Sequence, residues 1–95
     1  MPKRRIIKPQ QAQYLQARDA LFEQINKGEL SLGDAVKGMR EVLGMTQTEF
    51  GEKIANISRK AVSQIENGQG DPKLSTLNSC CQAFGMEVGF IIKNQ

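Results

Sequence analysis

The sequence predicts a mainly α-helical (all-α) fold, a five-helix bundle that ends in a short β-strand. Apolar residues recur at three- and four-residue spacing in five stretches before Gly85. Three of these stretches begin beside a Ser or Thr, and four end at a glycine, which are the usual start and stop residues of helices. After Gly85 the pattern changes to strict alternation, which is typical of a strand with one apolar face.

The length and the charge distribution describe a single domain with a basic N-terminus. Ninety-five residues suffice for one domain with a modest core. Four basic side chains lie within residues 1–8, whereas the rest of the chain holds nine basic and ten acidic ones. We therefore predict a flexible basic arm over residues 1–8. Two interpretations of this arm stay open: it contributes to nucleic-acid binding, or it is a solvated terminus.

Several protein classes are not expected from this composition. No apolar run is long enough to span a membrane, and the basic N-terminus lacks the apolar region of a signal peptide, so we predict a cytoplasmic protein. The chain has no His, which removes the commonest general base and metal ligand. Neither a paired-carboxylate site nor a glycine-rich phosphate loop is present. We expect no enzymatic activity, no metal and no cofactor.

Residues 9–30 are predicted to form an extra N-terminal helix that starts at Pro9, ends near Asn26 and is followed by a Lys27–Gly28 stop. Its apolar stripe consists of Tyr14, Leu15, Leu21, Phe22 and Ile25. Covering the core of the domain is the default role of such a stripe. Contact with a second subunit or with another partner remains an alternative.

The second helix opens residues 31–95, which we predict to form a DNA-binding domain. Ser31 and Asp34 form a capping signal for a helix from about Leu32 to Leu43, and Gly44 closes it. Its buried face is predicted to consist of Ala35, Val36, Met39, Val42 and Leu43.

The stretch from Thr46 to Pro72 is predicted to contain two short helices joined by a tight turn. Thr46 and Glu49 have the spacing of a capping box. The helical pattern breaks at Ala55–Asn56, and Ser58 is a suitable N-cap for the second helix. On that second helix Val62 and Ile65 are expected to face inward. The side chains expected to face outward are Arg59, Lys60, Ser63 and Gln64.

The last helix and the strand follow Asp71–Pro72. The helix is predicted from Leu74 to Phe84, with a buried face of Leu74, Leu77, Cys81 and Phe84. The adjacent Cys80 and Cys81 are interpreted as small core residues rather than a redox pair. The strand covers residues 86–93, with Met86, Val88, Phe90 and Ile92 on its apolar face. A lone strand needs a partner, so we predict that two copies pair antiparallel about a two-fold axis.

These motifs resemble the helix-turn-helix of the Xre/Cro family of bacterial and phage repressors. The matching pairs are Thr46–Gln47, Phe50–Gly51, Ile57–Ser58 and Val62–Ser63, followed by Glu66–Asn67–Gly68 and Pro72. The resemblance covers roughly Leu32 to Lys93. Two departures are visible: Ala55–Asn56 stands where one Gly is usual, and Gly51 stands where Ala is commoner. The helix–Gly–strand ending resembles that of HipB-like antitoxins within the family.

The resemblance implies a lambda-repressor-like bundle that acts as a homodimeric repressor on a palindromic DNA operator. It places the second helix in the major groove. The base-reading side chains would be Ser58, Arg59, Lys60, Ser63 and Gln64. The phosphate-binding residues would be Thr46, Gln47, Asn67 and Gln69. For Arg59 and Lys60, the alternative interpretation is a solvated helix face.

The resemblance also implies an ion pair between Arg40 and Glu66, which would hold the first helix of the family domain against the end of the second helix of the motif. The alternative for Arg40 is an ordinary exposed charge.

The HipB-like ending favours an antitoxin that represses its own operon and binds a HipA-like kinase toxin. A stand-alone chromosomal or prophage regulator is the alternative, as is an interaction module whose main role is toxin neutralisation. RNA binding is disfavoured because aromatic side chains for stacking are few, with one Tyr and four Phe. The neighbouring gene would separate an antitoxin from a plain regulator.

Overall fold

The computed structural model describes residues 9–90 and contains five α-helices in this range. They are α1 (Pro9–Asn26), α2 (Leu32–Val42), α3 (Gln47–Phe50), α4 (Arg59–Glu66) and α5 (Leu74–Cys81). Helix α3 continues directly into one π-helical turn over Gly51–Ala55, and α5 continues into a 3-10 turn over Gln82–Phe84. The predicted number and order of the helices are therefore confirmed. The basic arm at residues 1–8 lies outside the described residues.

Side-chain caps fix the starts of α2, α3 and α4. The hydroxyl oxygens of Ser31, Thr46 and Ser58 each accept a hydrogen bond of 3.1 Å from the backbone N–H three residues later. At α3 the box is reciprocal, because the Thr46 N–H also donates to Glu49 Oε1 at 3.1 Å. Each cap satisfies a backbone donor that the helix itself leaves unpaired.

The core lies between α2, α3 with its π turn, α4 and α5, and α1 covers one side of it. Leu21 of α1 is buried, and the Phe22 ring stands edge-on to Phe84 with 6.3 Å between the ring centroids. The default interpretation of the α1 stripe, that it covers the core, is confirmed for these residues. The buried apolar residues are Leu21, Val36, Met39, Phe50, Ala55, Val62, Ile65, Leu77, Cys80, Cys81 and Phe84.

The predicted burial of Leu74 is wrong. Its side chain is 60% exposed. Helical spacing places Leu74 on the side of Leu77, but Leu74 is the first residue of α5, and no described element covers it there. Cys80, which the predicted face omitted, is instead completely buried. The interpretation of Cys80 and Cys81 as core residues is confirmed.

The segment after Gly85 forms no strand over its described part, residues 86–90. Met86 and Val88 are half-buried against the core, whereas Glu87 and Gly89 are exposed, so the alternation predicted from the sequence is present. The Val88 N–H donates to Asn78 Oδ1 of α5 at 2.8 Å. Phe90 does not share this face, because its side chain is fully exposed. Ile92 lies outside the described residues.

A strand that pairs only with a second subunit has no partner within one chain. The absence of a strand in residues 86–90 therefore leaves dimer pairing a prediction. Among the helices of residues 9–90, none combines the length and the hydropathy needed to cross a membrane.

Candidate nucleic-acid interface

The exposed face of α4 carries the side chains that the sequence singled out. Arg59, Lys60 and Gln64 are exposed, whereas Val62 and Ile65 of the same helix are buried in the core. Ser58 is exposed, and its hydroxyl oxygen already caps the helix by accepting from the Ala61 N–H. This face therefore carries two positive charges and an amide group, and the opposite side of the helix is packed in the core.

Ser63 and Asn67 are linked on this face. Asn67 Nδ2 donates to the Ser63 hydroxyl at 3.3 Å, and Ser63 is half-buried. Helical spacing places Lys60, Ser63 and Asn67 one above the other. Asn67 was predicted only as a phosphate contact, but its position places it in line with the predicted base readers.

A partly buried ion pair joins α2 to the last residue of α4. Arg40 Nε donates to Glu66 Oε2 at 2.8 Å, and Arg40 Nη2 donates to Glu66 Oε1 at 3.1 Å, so the pair is bidentate. The side chains are 17% and 4% exposed, respectively. Hydrogen bonding to Glu66 raises the pKa of the Arg40 guanidinium, although burial opposes this. Two parallel hydrogen bonds of this kind fix the relative geometry of the two side chains as well as adding energy.

The same network extends to the start of α3. Arg40 Nη1 donates to the Met45 carbonyl at 3.1 Å, and Gln47 Nε2 donates to Glu66 Oε1 at 3.2 Å. One carboxylate thus connects α2, α3 and α4. The sequence indicated the pairing of Arg40 with Glu66, but no sequence signal indicated the contacts with Met45 and Gln47, which depend on how the three helices meet.

Gln47 keeps one amide hydrogen for another acceptor. A primary amide has two N–H donors, and only one of them is used by Glu66. The side chain is half-buried, so it is held in place by Glu66 rather than free to rotate in solvent. Thr46, the residue before it, is exposed and accepts from the Glu49 N–H. The Glu49 carboxylate in turn accepts from the Thr46 backbone N–H, and this bond, together with a side-chain hydrogen bond with Thr46, lowers the pKa of the Glu49 carboxyl.

The chain reverses tightly after α4. Gly68 has a φ of +69°. The Gly68 N–H donates to the Ile65 carbonyl at 3.1 Å, and the Gln69 N–H donates to the Gln64 carbonyl at 2.8 Å, which closes the end of the helix. This is the Schellman arrangement that glycine favours. Gln69, a predicted phosphate contact, is exposed in this loop. A cleft of about 220 Å³ lies between α4 and the loop, lined in part by Ala61, Gln64 and Pro72.

The turn between α3 and α4 is built from the π turn and one left-handed residue. Asn56 has φ 56° and ψ 47°. The predicted break at Ala55–Asn56 is confirmed, and the left-handed conformation of Asn56 is one that Asn tolerates. Gly51, which begins the π turn, is buried.

Comparison with known proteins agrees with this geometry. Residues 36–91, more than half of the chain, match the family model HTH_3, described as helix-turn-helix. The immunity repressor protein of Bacillus phage phi105 is 35% identical over 63 residues, which are 66% of this chain and 43% of that protein. The chain therefore matches less than half of the length of this relative. No solved structure gave a significant match. The matched residues include the capped α3, the tight turn and the anchored α4. This chain therefore belongs to the helix-turn-helix family HTH_3.

Proposed function

We propose that the protein is a non-enzymatic, cytoplasmic transcriptional repressor that binds double-stranded DNA through α4. The observation that carries this proposal is the exposed basic and polar face of α4 on a helix whose other side is fixed in the core and to Arg40. Membership of the helix-turn-helix family supports DNA binding. The immunity repressor of phage phi105 supports repression as the outcome.

In this proposal α4 lies in the major groove. Arg59 and Lys60 carry N–H donors suited to the O6 and N7 acceptors of guanine, and Gln64 suits the donor and acceptor pair of adenine. Ser63 and Asn67, already hydrogen-bonded to each other, continue the polar face from Lys60 toward the end of α4. Base contacts of this kind distinguish sequences, because each base pair presents a different pattern in the major groove.

Gln47 is proposed as the main phosphate contact. Its amide is oriented by Glu66, and its second N–H is available to a phosphate oxygen. A phosphate contact fixes the position of the protein on the duplex but carries no base information. Thr46 and Gln69, both exposed, are proposed as further phosphate contacts.

A homodimer on a palindromic operator is the proposed functional unit. Two copies related by a two-fold axis would read half-sites about one helical turn, roughly 34 Å, apart. The fully exposed Phe90 supports a second copy near the end of the described chain, because an isolated exposed ring there is stabilised by burial in an interface. The predicted pairing of residues 86–93 across the axis belongs to the same proposal.

The proposal is tested by selecting duplexes from a random DNA library and comparing affinities for selected and random DNA. Lys60→Ala should weaken binding to the selected duplex and relax discrimination at one position. Lys37→Ala is the matched control, since it removes the same charge from an exposed position on α2. Equal affinity of the unmutated protein for selected and random duplexes would overturn the proposal.

An antitoxin role is a second proposal, motivated by the HipB-like ending of the sequence. The relation to a phage immunity repressor favours instead the alternative of a prophage regulator. Purification of the protein together with a kinase-like protein encoded by the adjacent gene would support the antitoxin role. The absence of such a gene beside the gene for this protein would favour the plain regulator.

A further inference from the structure

The turn between α3 and α4 departs at two positions from the Xre/Cro pattern that the sequence resembles, and the structure brings the two positions together. The turn has one extra residue, Ala55–Asn56 where one Gly is usual, and Gly51 stands where Ala is commoner. We propose that Gly51 is a positioning residue of the DNA interface: it has no side chain, which allows the longer turn to fold back and place α4. The part of this inference that concerns DNA rests on the proposed function.

The extra residue is absorbed before α4 begins. The hydrogen bonds of the π turn over Gly51–Ala55 span one residue more than those of an α-helix, and π turns of this kind are frequent at functional sites. Phe50 before the insertion and Val62 after it are both completely buried. The insertion therefore leaves the core contacts on its two sides intact, and the whole adjustment falls between them.

The carbonyl of Gly51 is where the longer turn closes. The Asn56 N–H donates to this carbonyl, and the Ile57 N–H donates to it at 3.0 Å. Ile57 immediately precedes Ser58, the N-cap of α4. The two residues that precede the N-cap of α4 are thus hydrogen-bonded to Gly51.

The backbone of the turn approaches Gly51 too closely for any side chain. A methyl group on Gly51 would collide with the carbonyl oxygen of Ile57 and would lie 3.3 Å from Val62 Cγ2. The first of these atoms belongs to the backbone, so it cannot move aside as a flexible side chain does. Relief requires a shift of Ile57, and with it of the cap and the first turn of α4, which carries Arg59 and Lys60.

Ordinary helix propensity predicts the opposite result. In a helix interior, Ala is more favourable than Gly, and a Gly-to-Ala change stabilises when the site has room. Gly51→Ala is therefore an informative substitution, because a loss of stability or of binding identifies the close approach rather than a propensity effect.

The experiment is a cycle of four proteins: the natural chain, Gly51→Ala, a variant in which one Gly replaces Ala55–Asn56, and the combination of both changes. Chemical unfolding measures stability. Binding to a selected duplex and to a single-mismatch duplex measures positioning, under conditions in which each protein is folded. Gly38→Ala is the control, since its methyl group would meet only the end of the Leu21 side chain on α1.

In the natural chain Gly51→Ala should lower stability and weaken binding to the selected duplex by about tenfold or more, in line with the cost of overpacking. Discrimination against the mismatch should also fall, which a loss of stability alone would not produce in folded protein. In the shortened turn the same substitution should be harmless or stabilising. Gly38→Ala should leave discrimination unchanged.

The inference is overturned if Gly51→Ala has the same effect with both turn lengths, or if it is harmless in the natural chain. A Gly51→Ala chain that folds only with the shortened turn supports the inference, and one that folds with neither turn overturns it. Equal affinity of the natural chain for selected and random DNA would refute the proposed function. The stability cycle would still decide whether Gly51 and the turn length are coupled.

Discussion

Replacement of Arg40 by methionine is expected to destabilise the protein strongly, because it leaves the Glu66 carboxylate buried without a cationic partner. Glu66 is 4% exposed, and Arg40 supplies two of its hydrogen bonds, at 2.8 and 3.1 Å. Removing one partner of a buried pair costs about 3–5 kcal/mol. Gln47 still donates to Glu66 at 3.2 Å, so we expect a value in the lower half of that range.

A loss of this size is a large part of the stability of a small domain, which is about 5–15 kcal/mol. Glu66→Gln should cost less, about 1–3 kcal/mol, because the amide retains hydrogen-bonding capacity while losing the charge. A double variant with Arg40→Met and Glu66→Leu should be more stable than the sum of the Arg40→Met and Glu66→Leu single effects predicts, since no buried charge is left unpaired.

Urea unfolding followed by circular dichroism at fixed pH measures each term of this cycle. Asp19→Asn provides a control for loss of a surface ion pair, because Asp19, whose side chain is 67% exposed, pairs at 3.1 Å with Arg18; Arg18 itself stays in place over the Phe22 ring. Loss of that surface pair should cost no more than about 1 kcal/mol. The reasoning is refuted if Arg40→Met costs as little as the Asp19 control, or if the effects at Arg40 and Glu66 are additive.

Three further predictions concern DNA contacts, thiol chemistry and assembly. Arg59→Ala should reduce the free energy of binding to a selected duplex by about 1–3 kcal/mol and relax sequence specificity, whereas Gln47→Ala should weaken binding to all duplexes evenly. Titrations with selected and random DNA would show the reverse pattern if the two roles are misassigned. Burial raises the pKa of the Cys80 thiol to about 11 and also raises that of Cys81, so both should react with a thiol reagent only after unfolding. Because the pKa of the Cys80 thiol is higher in the folded state, its contribution to stability is complete below the ordinary thiol pKa near 9 and is lost as the pH rises toward 11. Unfolding midpoints that do not fall over this pH interval would contradict the prediction. Phe90→Asp should shift the protein from dimer to monomer in sedimentation at micromolar concentration, and an unchanged dimer would exclude Phe90 from the contact.

The sequence by itself determined the helices and the identity of the exposed face of α4. Helix starts depend on local hydrogen bonds between residues three apart, as at Ser58, and are therefore encoded within a few residues. The division of α4 into a buried and an exposed side follows from helical periodicity, which Val62 and Ile65 display without reference to the rest of the chain.

Only the tertiary structure decided what depends on the meeting of distant segments. Periodicity placed Leu74 on a buried face, but burial requires a neighbour, and the first turn of α5 has none among the described elements. The contact of Gln47 with Glu66, 19 positions away, depends on the packing of α3 against α4. By helix propensity alone, Gly51 is a costly choice for a helix interior. The structure gives the reason, because the carbonyl of Ile57 occupies the space that a side chain would need.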